Sequence, residues 1–249
     1  MSRPLRDLGP RAFGLSSLAL RRASPWARAV TIHLDVRPPL VLSSRPMRTD
    51  IPLRCRCGAL RGVIADYTPS ENNRVVCYCD DCQAFARWLG RDDLLDPHGG
   101  SDIVQVAPSR LRFTQGADQL RCMRLSGKGI HRWYAACCRQ PAGNTLPSAR
   151  SPFVGLVSAI VERPEGRALD DVIGPSFGGI HGRLATGGRP PGVPDRVSFK
   201  ILWRSVRPLL ANLVAGRHRP SPFVDPATGG FVSPPQVLST AERDALRPR

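Results

Sequence analysis

The sequence predicts a mainly β protein: a small β-meander or sandwich pinned by cysteine clusters, with a short helix after the central cluster and a helical extension at the C-terminal side. Three observations carry this. Residues 101–136 break into four short runs, 102–106, 110–113, 119–125 and 130–135, separated by Ala107-Pro-Ser, Gln115-Gly-Ala-Asp and Ser126-Gly-Lys-Gly. Each run holds β-branched or aromatic residues and each break holds Gly or Pro, the pattern of closely spaced strands. Three thiols fall within six residues, Cys77-Tyr-Cys79-Asp-Asp-Cys82, between a strand-like run and a helix-like one, and two further pairs, Cys55/Cys57 and Cys137/Cys138, bracket the meander.

The chain of 249 residues is 41% hydrophobic, enough for one sizeable domain or two small ones. Its net charge is +16, but of 36 basic residues only Lys128 and Lys200 are lysine. That bias reads as GC-rich coding rather than selection for phosphate contacts, so nucleic acid is not an expected partner. Eight cysteines would form a disulfide framework in an oxidising compartment. The apolar patch at 12–20, however, has no long core and no clear cleavage site, and no stretch approaches the roughly 20 apolar residues of a membrane span. A cytoplasmic, reducing location is expected, where such clusters mean metal or catalysis.

Residues 1–46 carry eight arginines against two aspartates, with no face to bury. They read as a disordered extension, with a mitochondrial transit peptide as one alternative and a true start at Met47 as the favoured one. From Leu53 the chain alternates like a strand broken by glycines, and Cys55 and Cys57 share one face. With Gly58 they form a Cys-x-Cys-Gly knuckle, half of a tetrahedral zinc site, the plainer alternative being two core cysteines. The run 74–77 enters the central cluster. After it, Asp80 and Asp81 occupy a first helical turn and Gly90 follows the last, which places Cys82 near a helix N-terminus, where a thiolate is favoured. His98 stands in a polar, turn-rich loop and reads as a surface histidine.

Cys137 and Cys138 end the last strand of the meander, before an expected Pro141/Gly143 loop. Two thiol pairs at chain reversals are the arrangement of a structural zinc site that fastens a small sheet. Adjacent side chains on an extended strand point oppositely, so both reach one ion only if the backbone turns sharply. Otherwise Cys138 is the stronger ligand.

Beyond residue 150 the apolar run 153–161 reads as a final strand, and 170–192 has no period. Residues 197–215 place Ile201/Leu202, Val206, Leu209/Leu210 and Leu213/Val214 at helical spacing, with Pro208 as a kink and Gly216 as a cap. Such a helix is expected to pack its apolar stripe on the sheet, ahead of lying on a membrane. Ser239-Thr-Ala-Glu242 is a capping box for a last short helix. The chain thus divides into 1–46, a zinc-binding β domain at 47–150, and a C-terminal extension at 151–249.

The cysteine order, with Cys138 to Thr145 as its end, resembles the glutathione-dependent formaldehyde-activating enzyme (Gfa) family over about residues 53–145, closest to a bacterial branch of it. The resemblance implies a structural zinc on Cys55, Cys57 and Cys138, and a second zinc on Cys77, Cys79 and Cys82 associated with carbon-sulfur lyase chemistry on thiol adducts of small electrophiles. Two departures stand out: the family's usual first cysteine of the last pair falls on Ala135, so that Cys137 would stand in for it, and its usual histidine between the central thiols is Tyr78. Three thiolates leave one position of a tetrahedral zinc open, with Tyr78 or Asp81 as proton carriers. The competing reading is a non-enzymatic zinc-stabilised module that binds a protein or anionic partner. A redox reading of Cys79-x-x-Cys82 lacks a surrounding βαβ pattern.

Overall fold

A computed structural model describes residues 48–69 and 73–247, which fall within one unit, Ser44–Arg249. The expectations for residues 1–46 lie outside the described residues. Two sheets make the framework. The smaller is antiparallel, in the order β1 (Thr49–Arg54), β2 (Arg61–Tyr67), β5 (Leu111–Gln115).

The larger sheet has eight strands. Its centre is antiparallel: β3 (Arg74–Cys77), β4 (Ser101–Val106), β9 (Val154–Val157), β8 (Gln140–Thr145), β7 (His131–Ala135) and β6 (Leu120–Arg124). Two short parallel strands close its edges, β10 (Gly179–Ile180) beside β3 and β11 (Pro235–Val237) beside β6. A mainly β protein results, with β9, β10 and β11 supplied from beyond residue 150.

Alternation along the strands divides the interior. Leu120 and Cys122 of β6 and Trp133 of β7 join Leu53, Ile64, Leu111, Leu156 and Phe223 in a core that draws on both sheets. Their neighbours Met123 and Tyr134 point to the opposite face. There they meet Phe85 and Leu89 of α1 (Asp80–Leu89). Burying one such side chain stabilises by roughly 1.5–3 kcal/mol, so α1 is held by its apolar face. Its end is a Schellman cap at Gly90 (φ 64°): the Gly90 and Arg91 amides donate to Arg87 and Ala86 carbonyls at 2.8 and 2.9 Å.

Several expectations are corrected. The Pro141/Gly143 segment is the buried strand β8, not a loop. A Cβ on Gly143 would lie 3.3 Å from Val154 Cγ1, so glycine there admits β9, and Pro141 sits beside the register shift of the β7–β8 pairing. Residues 153–161 are not the final strand, since β10 and β11 follow. Within 170–192, α2 (Leu169–Ile173) is anchored where buried Arg74 pairs with Asp170 and with Asp102 of β4.

The helix expected at 197–215 is α3 (Phe199–Val214), and it runs through Pro208. It does not bury its apolar stripe: Ile201 is buried, but Leu202, Leu210, Leu213 and Val214 are exposed. The reason is polar anchoring of the inward side. Asn73 Nδ2 donates to Ser205 Oγ at 3.0 Å, and Gln105 Nε2 donates to the Ser205 carbonyl at 3.1 Å. The capping box forms as expected at α4 (Thr240–Leu246), with the Ser239 amide donating to Glu242 and the Glu242 amide to Ser239 Oγ.

Candidate metal centres

The first centre is assembled by two turns. After β1 the chain reverses through Gly58 (φ 81°), where the Gly58 amide donates to the Cys55 carbonyl at 2.9 Å. After β7 it reverses through residues 136–139, with Arg139 in the left-handed region at φ 55°. That second reversal lets adjacent Cys137 and Cys138 face one point. The four sulfurs of Cys55, Cys57, Cys137 and Cys138 all lie within 4.8 Å of one another, with separations of 3.6 Å (Cys55–Cys57), 3.8 Å (Cys55–Cys137) and 4.0 Å (Cys137–Cys138).

Thiolates about 2.3 Å from a tetrahedral zinc sit about 3.8 Å apart. A disulfide would need about 2.05 Å, and all eight cysteines are free. The donor set therefore fits zinc. Backbone amides reinforce it: Leu60 N–H donates to Cys55 Sγ at 3.2 Å, and the Ala59 amide, then the Cys137 thiol, bring Cys57 down to about 7. Burial, with Cys57 and Cys55 nearby, pushes Cys137 well up, and burial also raises Cys138. Without a cation the group shares protons; a divalent ion is what would deprotonate all four.

The second centre sits where β3 runs into α1. The sulfurs of Cys77, Cys79 and Cys82 lie within 4.8 Å of one another. Cys79 is the residue capping α1 and Cys82 occupies its first turn, where the Cys82 amide donates back to the Cys79 carbonyl at 3.0 Å. Cys77 and Cys82 are buried. Bonds from Cys77 and Cys79 hold the Cys82 thiol well below its ordinary range, helped by Arg132. Cys77 is raised well above that range by its bonds with Cys79 and Cys82 and by burial. At Cys79 the Cys77 bond pulls downward, but Cys82 and burial outweigh it and push the thiol up to about 12.

Two residues that spacing did not reveal complete this centre. Arg132 of β7 is buried, 3.9 Å from Cys82 Sγ through its guanidinium, with Asn144 Oδ1 at 3.3 Å and the Phe85 ring beneath it. A zinc with three thiolates carries one net negative charge, and a buried guanidinium beside it offsets that charge. Gln83, fully buried, donates through Nε2 to the carbonyls of Tyr78 and Leu184 at 2.9 Å each, and its Oε1 accepts from Thr186. It fixes the backbone between Cys77 and Cys79. No motif announces either residue, because a lone Arg on a strand or Gln on a helix reads as a solvated position.

The remaining sequence candidates separate. Tyr78 commits its hydroxyl to Asp96 Oδ2 at 2.8 Å, and burial with that bond raises its pKa. Asp81 pairs with Arg247 at 2.9 Å and lies 4.0 Å from Arg132. His98 meets the Gly188 carbonyl and belongs to neither thiol cluster. Arg139, next to Cys138, donates to the Trp88 and Leu89 carbonyls at the end of α1. One helix thus has its N-terminus at the second centre and its C-terminus against the turn of the first.

The profile of a family of unknown function, DUF6151, matches residues 47–231, most of the chain. The chain belongs to the DUF6151 family. No curated protein matches it. A crystal structure of a Rhodobacter sphaeroides protein, a Northeast Structural Genomics target, is similar at 19% identity and a TM-score of 0.36, over 52% of this chain and 99% of that one. The matched region of this DUF6151 chain spans both thiol centres. Among the described residues no helix is long and apolar enough to cross a membrane.

Proposed function

We propose that this DUF6151 protein binds two zinc ions and acts, as its resemblance to the Gfa family suggests, as a carbon-sulfur lyase on thiol adducts of small electrophiles in the reducing cytoplasm. One observation carries the reading: the first centre offers four cysteine ligands and the second offers three. In the first, Cys55, Cys57, Cys137 and Cys138 make a closed tetrahedral set, which is structural. In the second, Cys77, Cys79 and Cys82 would hold a zinc with room for a substrate sulfur or oxygen, and that ion would supply Lewis-acid polarisation.

The reaction class is cleavage of a hemithioacetal. The carbon-sulfur bond breaks, the hydroxyl oxygen becomes the carbonyl oxygen, and its proton ends on the departing sulfur to give the free thiol. Asp81, 4.0 Å from Arg132, is the proton carrier in this scheme, and it must give up its pairing with Arg247 to act; Tyr78 is held by Asp96. Gln83 and Arg132 are positioning residues: one sets the backbone of the thiol loop, and the other balances its charge.

A second reading, a zinc-stabilised module without catalysis, is favoured by the burial of Cys77 and Cys82 at 6% and 7% exposure, which narrows access. The test is exchange between glutathione, formaldehyde and their hemithioacetal, followed by NMR with the zinc-loaded protein. The lyase reading requires acceleration that Cys82→Ser abolishes. Equal rates with and without protein, at two zinc ions per chain, would leave the module reading standing instead.

A further inference from the structure

Away from both thiol centres, α3 and the sheets border an open cavity of about 730 Å³. Six cationic side chains line it, Arg48, Arg110, Lys200, Arg204, Arg207 and Arg217, and no Asp or Glu among the described residues does. A low-dielectric concavity lined by one sign of charge concentrates ligands of the other sign.

Buried oxygens at the cavity say more about the ligand. Asn73 and Thr68 both line it, and Asn73 Oδ1 and Thr68 Oγ1 are buried without a hydrogen-bond partner. The orientation of the Asn73 amide is fixed by its neighbours. Gln105 Nε2 must donate to the Ser205 carbonyl, so Gln105 Oε1 is the acceptor for Asn73 Nδ2 at 2.5 Å, which leaves Asn73 Oδ1 as the unpartnered atom. A buried acceptor left unmade costs about 1–3 kcal/mol. A ligand that brings a hydroxyl donor would remove that cost, and Trp203, on the same wall and 58% exposed, offers an apolar surface to its carbon skeleton.

We infer that this cavity binds a phosphorylated, hydroxyl-bearing small molecule, its phosphates held by Lys200, Arg207 and Arg217 and a hydroxyl donated to Asn73. The inference stands independently of zinc, since no cysteine lines the cavity. The test is calorimetric titration of the full chain with fructose 1,6-bisphosphate and with inorganic phosphate. The bisphosphate is expected to bind at least tenfold more tightly than phosphate and to raise the melting temperature.

The double substitution Lys200→Gln/Arg207→Gln removes two exposed side chains, and it is expected to weaken bisphosphate binding tenfold or more with an unchanged melting temperature of the free protein. Lys128→Gln, on the hairpin turn between β6 and β7, should leave binding unaltered. Asn73→Ala should shrink the preference for bisphosphate over phosphate. Equal weakening by Lys128→Gln would reduce the effect to the net charge of the chain and overturn the proposal. Binding to phosphatidylcholine/phosphatidylserine vesicles without any response to the soluble phosphates would also overturn it, assigning α3 to a lipid surface.

Discussion

The two thiol centres share a chemistry and differ in setting. The first lies at turns on the surface, with Cys57 and Cys137 exposed and backbone amides aimed at its sulfurs. The second lies at a buried strand-to-helix junction and relies on side chains, Arg132 and Gln83, contributed by other parts of the fold. Amides on a tight turn are local devices that come with a Cys-x-Cys-Gly sequence. A buried guanidinium is supplied by the tertiary structure, and such an arrangement suits a centre whose charge changes when a ligand enters. In the function proposed above, the first centre serves stability and the second serves chemistry.

The largest effect that could break this division is on stability. Cys55→Ser or Cys138→Ser should remove one zinc and lower the melting temperature by roughly 10 °C or more. Zinc binding in such sites is folding free energy of about 10 kcal/mol or more, and at this size about 1 kcal/mol shifts the midpoint by roughly 2–4 °C. Calorimetry with metal analysis decides it: variants that melt like the parent with unchanged zinc would mean that the first centre holds no structural metal.

A smaller effect is expected at the second centre, where Cys77→Ala or Cys82→Ala should remove the other zinc while circular dichroism reports an intact fold. The helix that carries Cys82 is already held by Phe85 and Leu89 and by its Gly90 cap. Global unfolding of these variants would make both centres structural and erase the contrast.

How much of this could be read from the sequence follows the same line between local and distant causes. The segment 74–90 was legible: strand, cysteine spacing, acidic first turn and glycine cap are all encoded within one short stretch. The four strands of 101–136 were legible too, since their breaks carry their own turn chemistry, but their pairing as a meander was not: β5 joins the smaller sheet, β4 lies between β3 and β9, and only β6 and β7 are neighbours. Strand β8 was not, because Gln140-Pro-Ala-Gly-Asn-Thr145 has the composition of a turn and is a strand only because small residues let β9 close over it. Arg132 and Gln83 were invisible for a related reason, since Gln83 finds its partners at Leu184 and Thr186, about a hundred positions away. The period of α3 marked a helix, but which side faces inward was decided by Asn73 and Gln105 on other elements.

Arg132 sharpens the comparison further. Arg132→Met should lower zinc affinity at the second centre by about 10–100-fold, the usual cost of losing an outer-shell partner, and leave the first centre unaffected. Competition with a chelator resolves the two, and a parallel loss at both sites would show that the guanidinium acts through the fold as a whole. The smallest effect is expected from removing residues 1–46, whose sequence has no face to bury. A chain beginning at Met47 should keep its melting temperature and zinc content, and a fall of several degrees would show that the Arg-rich segment packs on the domain.

The central claim is that four thiols and three thiols make two separate zinc centres, and the zinc content of the purified full-length chain tests it most directly. Native mass spectrometry, with elemental analysis alongside, should give about two zinc ions per chain, falling to one in either Cys138→Ser or Cys82→Ala and to none in the double variant. One zinc in the parent, or none, would contradict the account.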